Sequence, residues 1–399
     1  MEKNQVKDFT ITIKALYKEI IMNIWPVPQV KLGENSIKEI PAALDSLGAD
    51  KVMVVTDQGI IKVGIYSKVE KILKDAGKDV VLVDDVKPDP SMQLVDAIAE
   101  KARHSGAQAV IGLGGGSSMD SAKVAAALVG NEGSIKDHLG VGLLPKPGLP
   151  ILAIPTTAGT GSEATYLSIL SDLENETKKG FGTPYIIPKF AFLDPTLTTG
   201  LPPQITAPTG MDALCHCVEA YTSANANDYS DAMAVKAIEL ISQNIRTAYS
   251  IGTDMKAREN MLLGSFLAGI AFANAGVTAV HAFAYPLGGM FHVPHGMANS
   301  LMLPVIIKFN ASAMKDRFGH VAELMTGKEG ADWQDCINEI EQLCADVKLP
   351  RNLKAIDIPE SAIKPMSVSV MDQTRLLVNN PREVTQEDAF EIYTEAWNR

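Results

Sequence analysis

The chain has 399 residues, 46% hydrophobic and 21% charged, close to a globular average, which excludes a disordered or low-complexity polymer and leaves room for two domains. Lys and Arg number 36 against 47 Asp and Glu, a net charge of −11 that repels phosphate backbones and anionic headgroups and argues against nucleic-acid and membrane partners. Cys215, Cys217, Cys336 and Cys344 make no CxxC pair and no disulfide framework, so a reducing, cytoplasmic setting is expected.

In chain order, the first predicted element is a short amphipathic helix on Phe9, Ile13, Leu16, Ile20 and Ile24. Lys14, Lys18 and Glu19 interrupt the apolar run a signal peptide would need. No stretch reaches the roughly 18 uninterrupted apolar residues of a membrane span. Strands are predicted at 51–56, 80–83, 109–113, 151–154 and 190–193, with helices over 65–76 and 92–105 between the first three, the pattern of a parallel sheet covered on both faces. After Leu201-Pro202-Pro203 helical spacing takes over, as in Met261, Gly264, Leu267 and Ala268, or Ile337, Ile340 and Leu343. The expected organisation is an α/β N-terminal domain over 1–200 and an all-α C-terminal domain over 201–399.

Two loops leave predicted strand ends. Gly114-Gly115-Gly116-Ser117 precedes an alanine-rich helix through Asp120 and Lys123; glycines without Cβ let backbone N–H groups approach a pyrophosphate, and the helix N-terminus adds free donors and partial positive charge. It is neither a GxGxxG fingerprint nor a Walker loop, and alone it also reads as a tight turn capped by Ser117 or Ser118. The second loop runs from Pro155 through Thr156, Thr157 and Thr160 to Glu163. Two such loops at the carboxyl ends of parallel strands point to a bound nucleotide. Asp57, at the tip of the first predicted strand, suits a ribose diol and repels a 2′-phosphate, favouring NAD over NADP; it reads equally as a helix N-cap.

In Pro208-Thr209-Gly210-Met211-Asp212, a helix start is expected, with Asp212 and His216 one turn apart on one face. Thr209 and Asp212 also resemble a capping box. A distant segment holds His281, His292 and His295, three of seven histidines within fifteen residues, beside prolines and glycines. One carboxylate with two or three imidazoles suits a divalent first-row ion such as Fe(II) or Zn(II). Spacing leaves open whether His292 or His295 is the ligand. Cys215 and Cys217 read as small core residues, and Phe272 as either pocket wall or core.

These motifs, with Leu193-Asp194-Pro195 and Pro294-His295-Gly296, resemble the iron-containing (group III) alcohol dehydrogenase family from about Pro28 onward. The resemblance implies the dehydroquinate synthase-like arrangement: an N-terminal dinucleotide-binding domain, a helical C-terminal domain, and a cleft holding NAD(P) and one divalent metal. It implies metal ligation by Asp212, His216, His281 and His295, against His292. It also implies cofactor contacts at Gly115, Gly116, Ser117, Asp120, Thr156, Thr157, Thr160 and Lys178, with Asp57 as the strand-tip acid. Many relatives carry a further histidine where this chain has Tyr285, so proton exchange is expected to run through ribose and water rather than an imidazole.

The expected activity is interconversion of small alcohols and aldehydes by a homodimer or larger homo-oligomer. Competing readings are a dehydroquinate synthase-like lyase, a hydroxyacid-oxoacid transhydrogenase, and a non-enzymatic metal or nucleotide sensor. The Ala, Phe and Gly residues near His281 favour uncharged aldehydes over substrates that need an arginine or lysine cluster.

Overall fold

The computed structural model describes residues 23–174 and 177–399. The helix expected through Phe9 and Ile20 therefore falls outside the described residues, while Ile24 is exposed and irregular. Nine strands follow: β1 (Gln29–Leu32), β2 (Lys51–Val55), β3 (Asp79–Val83), β4 (Ala109–Gly114), β5 (Gly140–Val141), β6 (Ile151–Pro155), β7 (Leu167–Asp172), β8 (Thr177–Gly182) and β9 (Phe190–Leu193). Six form a parallel sheet in the order β1-β9-β6-β4-β2-β3.

Every residue of β4 and β6 is buried, as continuous apolar runs with both faces covered require. Along β2 the side chains alternate. Met53 and Val55 pack on one face with the helices α2 (Met92–Ser105) and α3 (Gly116–Val129), and Val52 and Val54 pack on the other with α1 (Ile65–Asp75). From β2 the chain crosses first to β3 on one side and then to β4 on the other, so the strand order reverses between β2 and β4, where an open α/β sheet forms its ligand crevice.

A second sheet, β5-β8-β7, has no counterpart in the sequence reading. Its β7–β8 ladder is antiparallel, from Leu167 opposite Gly182 to Asp172 opposite Thr177.

Beyond Leu193 the longer elements are helical: α4 (Pro203–Thr222), α5 (Asp228–Ser250), α6 (Met255–Ala275), α7 (Ala279–Phe291), α8 (His295–Thr326), α9 (Trp333–Asp346) and α10 (Gln386–Asn398). They share one apolar core. Among the described residues no single helix is long and apolar enough to cross a membrane.

One local expectation is corrected. Asp212 does not lie at a helix start, because α4 begins nine residues earlier with Pro203 at its first position and carries Pro208 inside. Proline at the start costs nothing, since that N–H has no helical partner. Thr209 Oγ1 donates to the Ile205 carbonyl at 2.7 Å instead of capping, so Asp212 is a mid-helix, buried carboxylate.

Candidate active site

The tips of β4 and β6, the middle of α4 and parts of α6, α7 and α8 enclose a cleft of about 560 Å³. On the sheet side it is lined by Gly116, Ser117, Asp120 and Thr160, with Lys178 from β8; on the helical side by Asp212, His216, Phe272, His281, Tyr285 and His295. Asp57, Gly114, Gly115, Thr156 and Thr157 are not part of this lining but neighbour one another: the Thr156 N–H donates to the Gly114 carbonyl at 3.0 Å, and a Cβ on Gly114 or Gly115 would meet Asp57 Oδ2 or Thr157 Oγ1. Asp57 Oδ1 accepts from the Ile60 N–H at 3.1 Å, as an N-cap, while Oδ2 accepts from Ser118 Oγ at 3.2 Å across the crevice. The helix N-cap role is therefore present on Oδ1.

α3 is capped by neither serine; its N-cap is Gly115, with no side-chain bond. That leaves the first N–H groups of the helix open toward the cleft. A Cβ on Gly116 would stand 2.8 Å from Thr160 Cγ2, so the close approach of the two loops depends on the missing side chain. Lys123 ties the loops together from beneath, its Nζ donating to the carbonyls of Ser162 at 2.9 Å and Leu167 at 2.6 Å. Burial brings this lysine down to about 8. Asp120 accepts from Ser162 Oγ and from the Ile169 N–H at 2.8 Å, which joins α3 to β7 as well as lining the cleft.

Across the cleft, Asp212, His216 and His281 offer ligand atoms that all lie within 4.8 Å of one another, and all three are buried. His216 Nε2 and His281 Nε2 are 3.0 Å apart, and His295 Nε2 is 3.6 Å from Asp212 Oδ1. Gly296 brings α8 this near, since a Cβ there would lie 2.0 Å from the Pro208 carbonyl oxygen. His292 caps α7 in the left-handed conformation, exposed and outside the cleft lining. Phe272 is a wall, stacked on His216 with ring centroids 4.5 Å apart. Cys215 and Cys217 are buried, unpaired core residues.

Burial pushes His216 and His295 down to about 4, against the pull of Asp212. Burial opposes protonation of His281 too, but the Glu219 carboxylate outweighs it. Asp212 stays below the usual carboxylate range despite its burial, through His216, His295 and His281. His216 and His295 thus present neutral imidazole lone pairs beside the Asp212 carboxylate, while Glu219 favours the protonated form of His281. His216 Nδ1 is buried without a partner. This donor chemistry fits a divalent cation.

Three functional side chains escape the sequence reading. Glu219 follows Asp212 and His216 at the next turn of the same α4 face; it contacts His281 Nδ1 and accepts from the N–H groups of Thr278 and Val280 at 2.9 and 2.8 Å, which fixes the tautomer leaving His281 Nε2 free. Asn299 Nδ2 lies 2.7 Å from Asp212 Oδ1 and 3.2 Å from both His281 Nε2 and His295 Nε2. Arg375 lines the outer cleft. The spacing 212, 216, 219 signals the first, and 295, 299 the second; nothing local signals the third.

Residues 27–195 match a family model described as iron-containing alcohol dehydrogenase, and 206–397 match the Fe-containing alcohol dehydrogenase family, C-terminal. The chain is 40% identical over 379 residues to long-chain-alcohol dehydrogenase 1 of Geobacillus thermodenitrificans, covering 93% of this chain and 95% of that one. It is 36% identical to 1,3-propanediol dehydrogenase of Citrobacter freundii, covering 93% and 98%. The solved structure of a 1,3-propanediol oxidoreductase superposes with a TM-score of 0.91 at 34% identity, covering 94% of this chain and all of that one.

Proposed function

Because this chain belongs to the iron-containing alcohol dehydrogenase family, oxidoreductases acting on CH–OH groups, we propose that it interconverts small primary alcohols and aldehydes with NAD(H) and one divalent metal ion. The observation that carries this reading is the convergence of Asp212, His216 and His281, with His295 beside them, on the floor of a cleft whose opposite rim is a glycine loop. We assign residues 1–200 to the dinucleotide and 201–399 to the metal.

Asp212, His216, His281 and His295 would hold the metal, and we favour Fe(II), with Zn(II) an accepted alternative for one oxygen and three nitrogen donors. When bound, it supplies Lewis acidity to an alcohol or carbonyl oxygen. Glu219 keeps His281 in the required tautomer, and Asn299 donates to Asp212 so that the carboxylate is oriented by more than its charge. Phe272 covers one side of His216 and excludes water.

Gly114, Gly115, Gly116 and Ser117 would hold the pyrophosphate of the dinucleotide, since the uncapped start of α3 offers N–H donors. Thr156, Thr157 and Thr160 form the facing loop, Asp120 and Lys178 would border the bound cofactor, and Asp57 would accept from a ribose hydroxyl, which favours NAD over NADP. NAD(H) supplies the hydride acceptor or donor. Tyr285 is kept protonated by burial, although Arg375 beside it favours ionisation, so its hydroxyl serves as a donor toward the cleft rather than a base at neutral pH.

Four buried, unpaired cysteines fit a reducing compartment, and the edge position of β1 among the described strands fits assembly into a homodimer or larger homo-oligomer. The test is loss of NADH absorbance with a panel of aldehydes after loading with Fe(II) or Zn(II). Turnover with NADH exceeding that with NADPH is expected. A metal-loaded protein that reduces no aldehyde, or that never consumes free NADH, refutes the reading in favour of a lyase, a transhydrogenase or a sensor.

A further inference from the structure

The cleft contains two full-time cations. Lys178 is neutralised by Asp89 at 2.6 Å, and both residues lie in the wall. Arg375 is different: among the described residues it has no carboxylate partner, and it is exposed to the cleft solvent. Its side chain hydrogen-bonds Tyr285, which leaves the positive charge uncompensated, and a guanidinium without a counter-charge in a cleft is a ready receptor for an anion.

Its placement is specific. Arg375 is the second residue of a short helix, Thr374–Leu377, and reaches across to β8, where a Cβ built on Gly180 would stand 3.6 Å from each of Cζ, Nε and Nη2. Three guanidinium atoms equidistant from one point mean that the group lies flat over the glycine. A flat guanidinium keeps its in-plane N–H donors pointing sideways, the fork that matches a carboxylate or sulfonate. Around it stand Tyr285, one turn after His281 on α7, and Tyr166, which stacks on Trp25 with centroids 4.0 Å apart. The guanidinium acts electrostatically on both phenols and on His281. It therefore sits over β8, beside Tyr285 and within electrostatic reach of Tyr166 and of the candidate metal ligand His281.

We propose that Arg375 is the subsite for an anionic group on the substrate, and that the preferred substrates are short aldehydes, with their alcohols, bearing a carboxylate or sulfonate at the far end. The inference rests on the aldehyde-reducing function proposed above, and it replaces the expectation of uncharged substrates drawn from the residues near His281. A short chain fits because the aldehyde oxygen must reach the Asp212, His216 and His281 cluster while the anion stays on Arg375. Trp25 and Tyr166 close the outer side and disfavour long tails.

The test compares butanal with 4-oxobutanoate, similar in length and different in charge, using the metal-loaded full-length enzyme and NADH. The wild type is expected to favour 4-oxobutanoate in kcat/KM by at least about tenfold, the scale of one charge-assisted contact. Arg375→Gln lowers that ratio at least about tenfold, mainly through the aldehyde KM, and Arg375→Lys restores part of it, because the charge returns without the fork. Propane-1-sulfonate competes with the aldehyde, and calorimetry finds its affinity weakened in Arg375→Gln. A ratio unchanged by the substitution, a preference for butanal, or a loss confined to the KM for NADH overturns the proposal; the last outcome assigns Arg375 to the cofactor. Failure of the parent reading looks different: no aldehyde of either kind is reduced, while sulfonate binding measured by calorimetry still reports whether Arg375 holds an anion.

Discussion

One wall of the cleft is built from backbone and the other from side chains, and the two depend on sequence in opposite ways. At the tips of β4 and β6 the useful feature is what is missing: Gly115 leaves α3 without a side-chain cap, and Gly116 has no Cβ to strike Thr160. Across the cleft the site consists of individual atoms, Asp212 Oδ1 and the Nε2 atoms of His281 and His295, carried by three helices. A backbone site degrades gradually when a side chain intrudes, whereas a side-chain site fails when one donor is removed.

The sharpest expected contrast comes from His216→Ala, which should take metal content well below one ion per chain and lower kcat by at least about a thousandfold, since the Lewis acid goes with the ligand. Metal analysis alongside NADH oxidation measures both; full metal retention would remove His216 from the ligand set. Glu219→Gln comes next. It keeps the shape but surrenders the charge that orients His281, and metal affinity should fall about 10- to 100-fold while the fold persists. Competition with a chromogenic chelator checks this.

On the backbone wall, Gly116→Ala should raise the KM for NADH about tenfold by forcing Thr160 aside, with metal content unchanged. A loss of metal in that variant would mean that the two walls are not independent. The smallest effect belongs to Tyr285→Phe, for which turnover is expected to fall by less than about tenfold because a donor, not a base, is removed. A steeper fall would give the phenol a direct part in proton transfer.

Legibility in the sequence divides along the same line. β2, β4, β6 and β9 are visible because buried parallel strands must be continuous β-branched and apolar runs, as in Val52-Met53-Val54-Val55. The strand β8, Thr177-Lys178-Lys179-Gly180-Phe181-Gly182, has no such signature, because its pairing with β7 rather than its composition holds it extended. The start of α4 is misread because Pro208 and Gly210 resemble punctuation, while tertiary packing carries the helix through them. Glu219 was readable from its position one turn beyond His216. Arg375 was not, since it meets Tyr285 through the packing of segments ninety residues apart in the chain.

The candidate ligand atoms come from α4, α7 and α8, so a bound ion would also cross-link α4 to the consecutive pair α7 and α8, which follows it only after two intervening helices. None of these donors is assembled until the helices have packed, so the ion binds the native state and ignores the unfolded chain. By mass action, ion at a hundredfold excess over its dissociation constant then adds about 2.7 kcal/mol to unfolding. The melting temperature should climb with free metal and drop on chelation, which makes a thermal scan a measure of cation affinity in the absence of any substrate. In His216→Ala that dependence should flatten.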